Sequence, residues 1–301
     1  MFETGLARLS VVDRARDLSP HAMGLLLTIL GVLVLSPDSL LIRVIDADAW
    51  TIIFWRALLM SLALAGGIAL SGLRNSAAQF RSIGRPGLVV AVLFAAQITL
   101  FVTAISRTSV ANTVVIFATA PLWAAVLSRI FLNERPPARV WAAAMISFGA
   151  VAFIFVGSIG TGRVEGDLAA AGASLALAAG LTIIRRHREV SMVPAWAVGA
   201  FFASLASVGF AEPFDVDRSD VGVLLLSGFV VLPLAFALIA IGPRRLSAPE
   251  TGLIMLLETA LAPLWVWWAL EDEPNAEALV GGAIIVGVLV INSVVGLRDS
   301  S

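Results

Sequence analysis

The sequence predicts an all-α polytopic membrane protein in which ten transmembrane helices form two inverted five-helix repeats around a central cavity. Three observations favour this class. Of the 301 residues, 59% are hydrophobic and 14% are charged, whereas soluble domains average about 45–50% and 25%. The basic residues gather on one side of the predicted helices. The tetrapeptide Ala-Pro-Leu-Trp occurs twice, at 120–123 and 262–265, which indicates an internal duplication.

Ten apolar runs are long enough to cross a bilayer, because about 20 helical residues span the ~30 Å hydrocarbon core. The first run is too long for a signal peptide and lacks a small-residue cleavage site, so we interpret it as a span. The predicted spans 1 to 10 are 22–42, 50–71, 86–106, 109–131, 138–158, 167–185, 191–211, 221–241, 249–270 and 277–297. They divide the chain into a lead (1–21), a first repeat (22–158), a second repeat (167–297) and a tail (298–301).

The distribution of arginine predicts the orientation. All twenty basic residues are arginines, and with the N-terminus in the cytoplasm fifteen fall inside, four outside and Arg56 within a span. Basic residues accumulate on the cytoplasmic side, so we expect both termini there, in a bacterial-type cytoplasmic (inner) membrane. Because each repeat has an odd number of spans, the second repeat enters the bilayer from the side opposite to the first. Proteins with such inverted repeats bind their ligands near the midplane.

Composition excludes several function classes. The chain has no cysteine, and its two histidines, His21 and His187, lie at the ends of predicted spans. We therefore expect no disulfide, thiolate nucleophile, metal cluster or cofactor. No Ser/His or paired-aspartate constellation favours an enzyme. The expected partners are a small-molecule substrate and the lipid bilayer, with no nucleic acid, and a monomer would suffice.

Glu258, near the middle of span 9, is the strongest candidate for a binding residue. A charged side chain at a helix centre costs about 2.5–3.5 kcal/mol on insertion scales. A carboxyl group there is either protonated or faces water, a cation or a substrate amine. A protonated or internally paired structural glutamate is the alternative.

Other polar side chains at depth are weaker candidates. Arg56 in span 2 could hold a substrate carboxylate with its guanidinium fork, or it could cap helix carbonyls or extend to the interface. Gln97 in span 3 and Asn112 in span 4 could bind substrate, although membrane amides more often join helices. Asp38, at a break in span 1, is a second candidate for an amine. Phe101 and Trp265 are candidate contacts for the substrate side chain.

Four prolines are predicted to kink their spans and are candidate gating positions. Proline lacks the N–H that would bond to the carbonyl four residues earlier. Pro37 interrupts span 1 near its outer end, and Pro121 and Pro233 lie in spans 4 and 8. Pro263 is expected to interrupt span 9 five residues after Glu258. Stationary kinks are the common alternative.

In the order and spacing of its motifs, the sequence resembles the EamA-type members of the drug/metabolite transporter superfamily along essentially its whole length. The motifs are Ser36–Arg43, Phe54-Trp55-Arg56, Ser109–Asn112, Ala120-Pro121-Leu122, Asn133-Glu134-Arg135, Pro249–Gly252, Ala262-Pro263-Leu264 and Glu271-Asp272-Glu273. The resemblance implies two inverted repeats around a cavity that carries small metabolites or amino acids, often outward. It implies structural or gating roles for Arg56, Glu134 and Glu273. Within the family the chain looks most like the YddG-type amino acid exporters.

These interpretations leave three functional hypotheses. The first is an exporter of amino acids or related metabolites that works by alternating access, with substrate contacts from spans 1, 3, 4, 6, 8 and 9. The second is proton-coupled efflux of lipophilic cationic drugs through Glu258. The third is a membrane protein that transports nothing, such as a sensor.

Overall fold

The computed structural model describes residues 19–70, 72–108, 110–154, 164–271 and 276–299, and within them all regular structure is helical. Residues 1–18 of the N-terminal lead, residues 155–158 of predicted span 5, and Glu273 lie outside these ranges. The helices, numbered in chain order, are α1 (Pro20–Leu35), α2 (Asp38–Arg43), α3 (Ala49–Leu70), α4 (Leu73–Ser82), α5 (Gly84–Arg107), α6 (Val110–Phe117), α7 (Ala120–Leu127), α8 (Ala138–Ile154), α9 (Val164–Arg186), α10 (Val193–Ser207), α11 (Arg218–Leu225), α12 (Leu232–Ile239), α13 (Gly242–Arg245), α14 (Ala248–Met255), α15 (Leu257–Leu270) and α16 (Ala276–Asp299). Two π-helical turns, Ser128–Leu132 and Leu226–Val231, follow α7 and α11.

Each predicted span coincides with a helix or a group of consecutive helices. Among the described residues, eight helical segments are long and apolar enough to cross a bilayer. Two further apolar helices, α8 and α10, are shorter, at 17 and 15 residues. A 15-residue helix is only about 22 Å long. The protein is therefore a polytopic helical membrane protein, and the count of ten crossings stays a prediction.

Span 1 is broken where Pro37 stands. Helix α1 ends at Leu35, and α2 begins at Asp38. The Ser36 N–H still donates to the Val32 carbonyl at 2.8 Å, and the Ser36 hydroxyl donates to the Leu33 carbonyl at 2.9 Å. The last turn of α1 is thus closed by its own residues. Asp38 then starts a new helix at the level of the break.

Span 4 is broken just before Pro121, between α6 and α7. Pro121 has no N–H to offer the Phe117 carbonyl. That carbonyl instead accepts a hydrogen bond at 3.2 Å from the Ser174 hydroxyl of α9. The Thr119 hydroxyl lies 3.0 Å from the same Ser174 oxygen. A backbone group freed at membrane depth needs such a partner, and here the second half of the chain supplies it.

The expected interruption of span 9 at Pro263 is wrong. Helix α15 runs without a break from Leu257 to Leu270, across Pro263. The break lies at Leu256, where the Leu256 N–H bonds to the Leu253 carbonyl at 3.1 Å in a tightened turn. A transmembrane helix tolerates one proline when neighbouring groups satisfy its backbone. The tightened turn instead lies beside Glu258.

Span 8 changes its helical pitch before Pro233, the second residue of α12. The Leu232 N–H bonds to the carbonyl of Ser227, five residues earlier. This π-helical turn widens the backbone just where Pro233 has no N–H of its own. Such turns are rare and frequently mark functional sites.

Two helices in the connections between predicted spans were not expected from the sequence. Helix α4 lies between spans 2 and 3, and the single-turn α13 lies between spans 8 and 9. At the other end of span 2, the Asp48 carboxylate accepts hydrogen bonds from the N–H groups of Trp50 and Thr51. Burial alone would raise the pKa of Asp48, but its hydrogen bonds with the Thr51 side chain and with the backbone N–H groups of Thr51, Trp50 and Glu212 hold it below the ordinary value.

The pairing of helices links the two halves of the chain. Helix α5 packs along α9 and α10, and α12 packs along α1. Matching spans 1–5 in order with spans 6–10 equates span 3 (α5) with span 8 (α12), and span 1 (α1) with span 6 (α9). The pair α5–α9 and the pair α12–α1 are then equivalent. Close approach depends on small residues. A Cβ atom on Gly199 would lie 2.7 Å from the Ala91 carbonyl oxygen, and one on Gly31 would lie 2.9 Å from that of Ala235.

Among the described residues, polar contacts in and near the connections join segments that the predicted topology puts on the same side. On the side with few arginines, the Asp46 N–H donates to Asp220, and the Trp55 indole donates to the Pro213 carbonyl. On the side with many arginines, Arg185 pairs with Glu134. We call these two sides the arginine-poor face and the arginine-rich face. Their separation supports the predicted alternation of the spans.

Candidate functional site

A cavity of about 520 Å³ lies between the two halves of the chain. A volume of this size is typical of small-molecule sites. Its described walls come from α1, α2, α3, α5 and α6 of the first half and from α12, α14 and α15 of the second. Span 2 lines the cavity, as the candidacy of Arg56 implies. Span 6, which we expected to contribute, does not line it among the described residues. Most of the wall is aliphatic or aromatic.

Four ionisable or amide side chains line this cavity, and all four are candidates from the sequence. They are Asp38, Arg56, Gln97 and Glu258. They come from spans 1, 2, 3 and 9, so the fold brings together residues up to 220 positions apart. The cavity thus has an apolar wall with a few convergent polar groups, which is the usual composition of a binding site.

Asp38 and Arg56 form an ion pair with each other. Both are largely buried, with side-chain exposures of 8% and 12%. Ser227, in the π-helical turn, completes a closed triangle: it donates to Asp38 Oδ1 at 2.9 Å and accepts from Arg56 Nε at 2.8 Å. The guanidinium is thereby neutralised within the protein. The pairing weakens two hypotheses from the sequence, that Arg56 holds a substrate carboxylate and that Asp38 holds a substrate amine, because each group already has a partner of opposite charge.

Gly228 allows the π-helical turn to approach α3 closely enough for Ser227 to reach Arg56. A Cβ atom on Gly228 would lie 2.8 Å from the Leu59 Cβ and 3.1 Å from the Arg56 Cα. Both neighbours belong to or lie next to the backbone and have little freedom to move. The triangle of Asp38, Arg56 and Ser227 therefore depends on a glycine at this position.

We expect Gly228→Ala to destabilise the protein by about 1–3 kcal/mol, the usual range for overpacking. Unfolding by SDS in mixed micelles would measure the change. Gly222→Ala, in the same predicted span, is the matched control, because a Cβ there meets nothing within 4 Å. Equal stability of the two variants would contradict the proposed close contact.

Glu258 differs from Asp38 in its surroundings. It is half-buried in the cavity wall and lies within electrostatic range of both Asp38 and Arg56. Because Asp38 already neutralises Arg56, the four polar groups retain one uncompensated carboxyl group. Neither Glu258 nor Gln97 hydrogen-bonds to another described side chain or backbone group. Both remain available to a molecule that enters the cavity.

Aromatic rings form the deeper wall. Phe101 lines the cavity, as expected, and meets Phe117 edge-on with ring centroids 5.0 Å apart. Phe94 and Phe236 also line it, and they pack against the buried Trp196 behind them, at 5.7 Å and 5.1 Å. These rings offer an apolar surface to a substrate body. They also join spans 3, 7 and 8.

Two candidates lie outside the described lining. The Asn112 amide donates to Asp167 Oδ1 at 3.2 Å and so joins α6 to α9. Asn112 is not among the described lining residues of this cavity, and its role as a substrate contact stays a prediction. The Trp265 indole donates at 2.8 Å to the Ser36 hydroxyl, at the break between α1 and α2. Of the candidate prolines, Pro37, Pro121 and Pro233 are not among the described lining residues, and the side chain of Pro263 lies outside the described part of the structure.

Sequence reasoning missed Ser227, Phe94 and Phe236. Ser227 is a lone hydroxyl in an apolar span, and nothing in its neighbourhood distinguishes it from a serine that bonds to its own helix. The two phenylalanines resemble any apolar span residue. The pairing of Asp38 with Arg56 could have been predicted from the sequence, because both residues lie near the outer ends of consecutive spans.

Comparison with known proteins gives the fold and the family. A solved structure described only as "Crystal structure of protein" superposes with a TM-score of 0.77 and 20% identity, over 92% of this chain and 99% of its own. At that identity the match supports the fold alone. No curated protein matches the sequence significantly. The model of the EamA-like transporter family matches twice, at residues 21–156 and 164–294. These two matches cover most of both halves, and the chain therefore belongs to the EamA-like transporter family, within the drug/metabolite transporter superfamily.

Proposed function

We propose that this membrane transporter exports small solutes that carry a protonated amine and a partly apolar body, the class that includes amino acids and related metabolites. One observation carries the proposal: Glu258 is an uncompensated carboxyl group in a mostly apolar cavity between the two halves. A carboxylate at membrane depth requires a counter-charge or water. A substrate amine supplies that counter-charge.

The remaining groups of the cavity suggest how such a solute binds. Glu258 accepts from the amine, and the Gln97 amide, which both donates and accepts, orients a second polar group of the substrate. Phe101, Phe94 and Phe236 contact the apolar body. The triangle of Asp38, Arg56 and Ser227 acts as a rigid polar wall and not as a receptor for the substrate carboxylate.

The polar contacts at the two faces support alternating access. The cavity extends to Ile42 and Ala49, which are exposed at the arginine-poor face. At the arginine-rich face, ion pairs between the two halves join Arg139 to Glu250 and Arg185 to Glu134. The form described is thus closed on the predicted cytoplasmic side and accessible from the other. Rocking of one half against the other would exchange the two states.

Efflux of lipophilic cations is the second candidate, and the ion pair of Arg56 with Asp38 favours it. With Arg56 occupied, the cavity retains no free cation for a substrate carboxylate among its described lining residues. A lone carboxyl group in an apolar cavity suits a cation without a carboxylate. In that mechanism Glu258 would exchange a proton for the substrate.

A series of analogues tests both candidates in proteoliposomes. The measurement is flux of labelled leucine and phenylalanine, in competition with the corresponding decarboxylated amines and N-acetyl amino acids. We expect N-acetylation to abolish competition, because it removes the charge that Glu258 binds. Decarboxylated amines are expected to compete under both candidates, because neither assigns a receptor for the carboxylate. A lipophilic quaternary cation that competes as well as the amino acids would favour the second candidate.

The control is the same assay with empty vesicles and with vesicles containing Glu258→Gln protein. N-acetyl amino acids that compete as strongly as free amino acids would contradict recognition of the amine. Flux that no amine or amino acid supports or inhibits would contradict the proposed substrate class altogether.

A further inference from the structure

A second cavity, of about 440 Å³, opens at the arginine-rich face. It lies at the junction of the two halves and is separate from the cavity that contains Glu258. Its charged and titratable lining residues converge from six predicted spans or their ends. They are His21, Glu134, Arg135, Arg139, Arg185, Arg245 and Glu250.

Two of the four arginines are already paired. Arg139 lies 3.8 Å from Glu250, and Arg185 lies 2.9 Å from Glu134. Glu250 is further held by Ser247, whose backbone N–H and hydroxyl both donate to it, at 3.1 Å and 2.8 Å. The two glutamates are thus fully engaged in closing this face.

Arg135 and Arg245 have no such partner. Both are exposed, and neither guanidinium group makes a hydrogen bond or ion pair with any other residue that the structure describes. Arg135 follows span 4 and Arg245 follows span 8, so they approach the cavity from opposite halves of the chain. The cavity therefore has an excess of positive charge between two halves that must separate during transport.

The surroundings of Gly296 show that the charged groups are closely spaced. A Cβ atom there would lie 3.1 Å from His21 Nε2, 3.5 Å from Arg139 Nη2 and 3.8 Å from Glu250 Oε1. General enrichment of arginine on the cytoplasmic side explains scattered exposed arginines. It does not explain four that line one concave site together with a histidine.

We propose that this second cavity binds a phosphate-bearing anion, which is either the headgroup of an acidic phospholipid or a soluble phosphate compound. Guanidinium groups match phosphate oxygens in charge and in fork geometry. Basic pockets between transmembrane helices on the cytoplasmic side suit anionic headgroups in particular. The anion joins Arg135 to Arg245 and so stabilises the state in which this face is closed.

Thermal unfolding of the purified full-length chain in neutral detergent tests the proposal. One arm adds inorganic phosphate or glycerol phosphate, with sodium chloride at matched ionic strength as reference. The other adds phosphatidylglycerol, with phosphatidylcholine as reference. We expect at least one phosphate-bearing probe to raise the unfolding temperature by several degrees, since a ligand of the folded state stabilises it by mass action. A response confined to one arm identifies the source of the anion.

The double variant Arg135→Gln/Arg245→Gln should weaken the apparent affinity for that probe at least about tenfold, the equivalent of one charge-assisted hydrogen bond. The double variant Arg81→Gln/Arg298→Gln is the matched control. It removes the same charge from exposed arginines outside the cavity. If the first double variant does not fold, Arg135→Gln alone takes its place. Equal responses of the variant and control, or no response of the wild type to any probe, would overturn the proposal.

Discussion

Glu258→Gln is expected to weaken substrate binding and flux strongly while leaving the protein folded. The substitution keeps the shape of the side chain and removes the charge that binds the amine. Loss of one hydrogen bond to a charged group corresponds to about 1.5–3 kcal/mol, or roughly tenfold to a hundredfold in affinity. Binding of labelled substrate to purified protein and flux in proteoliposomes measure the two losses separately.

Stability distinguishes a binding role for Glu258 from a structural one. A carboxylate in an apolar cavity is costly, so removing its charge should leave the unfolding free energy unchanged or higher. A structural glutamate would give the opposite result. Glu165→Gln is the control, because Glu165 forms an exposed ion pair with Arg107 at the arginine-poor face. Full transport by Glu258→Gln would remove this residue from the mechanism.

Asp38→Ala is expected to lower the unfolding free energy by about 3–5 kcal/mol, the usual cost of breaking a buried ion pair by removing one partner. The loss arises because Arg56 remains in the cavity wall with only the Ser227 hydroxyl as a described partner. The measurement is SDS unfolding in mixed micelles. The double variant Asp38→Leu/Arg56→Met should recover most of the loss, since apolar replacements of similar volume often leave stability unchanged.

Glu258 could take the place of Asp38 as the partner of Arg56, because the two carboxyl groups line the same cavity. The unfolding measurements are therefore repeated in protein that also carries Glu258→Gln. There we expect Asp38→Ala to lower the unfolding free energy by more than it does in the wild-type protein. If Asp38→Leu/Arg56→Met is as unstable as Asp38→Ala, both with and without Glu258→Gln, the ion pair is not the source of the stability. That result would point to packing at Asp38 instead.

The arrangement of helices was largely predictable because membrane insertion leaves a strong periodic signal. Apolar runs, arginine placement and the repeated Ala-Pro-Leu-Trp segment each reflect a physical requirement of a long helix in lipid. Five of the predicted substrate contacts line one cavity: Asp38, Arg56, Gln97, Phe101 and Glu258. Polar residues at depth are rare, so few alternatives compete for the same role.

The partners of those residues were not predictable in the same way. The bond of Asn112 to Asp167 and the place of Ser227 between Asp38 and Arg56 depend on helix rotation and depth, which a single sequence does not encode. The position of the break in span 9 was misjudged for a related reason. Proline at 263 has a strong local preference, but local preference yields to the packing of the whole helix.

The hydrogen bond from Ser174 to the Phe117 carbonyl has a consequence for the two halves of the chain. A proline in the first half leaves a backbone oxygen without its donor, and a serine in the second half answers it. Each half is therefore chemically incomplete without the other. Two separate identical chains would make this bond only if every copy carried both the proline and the serine.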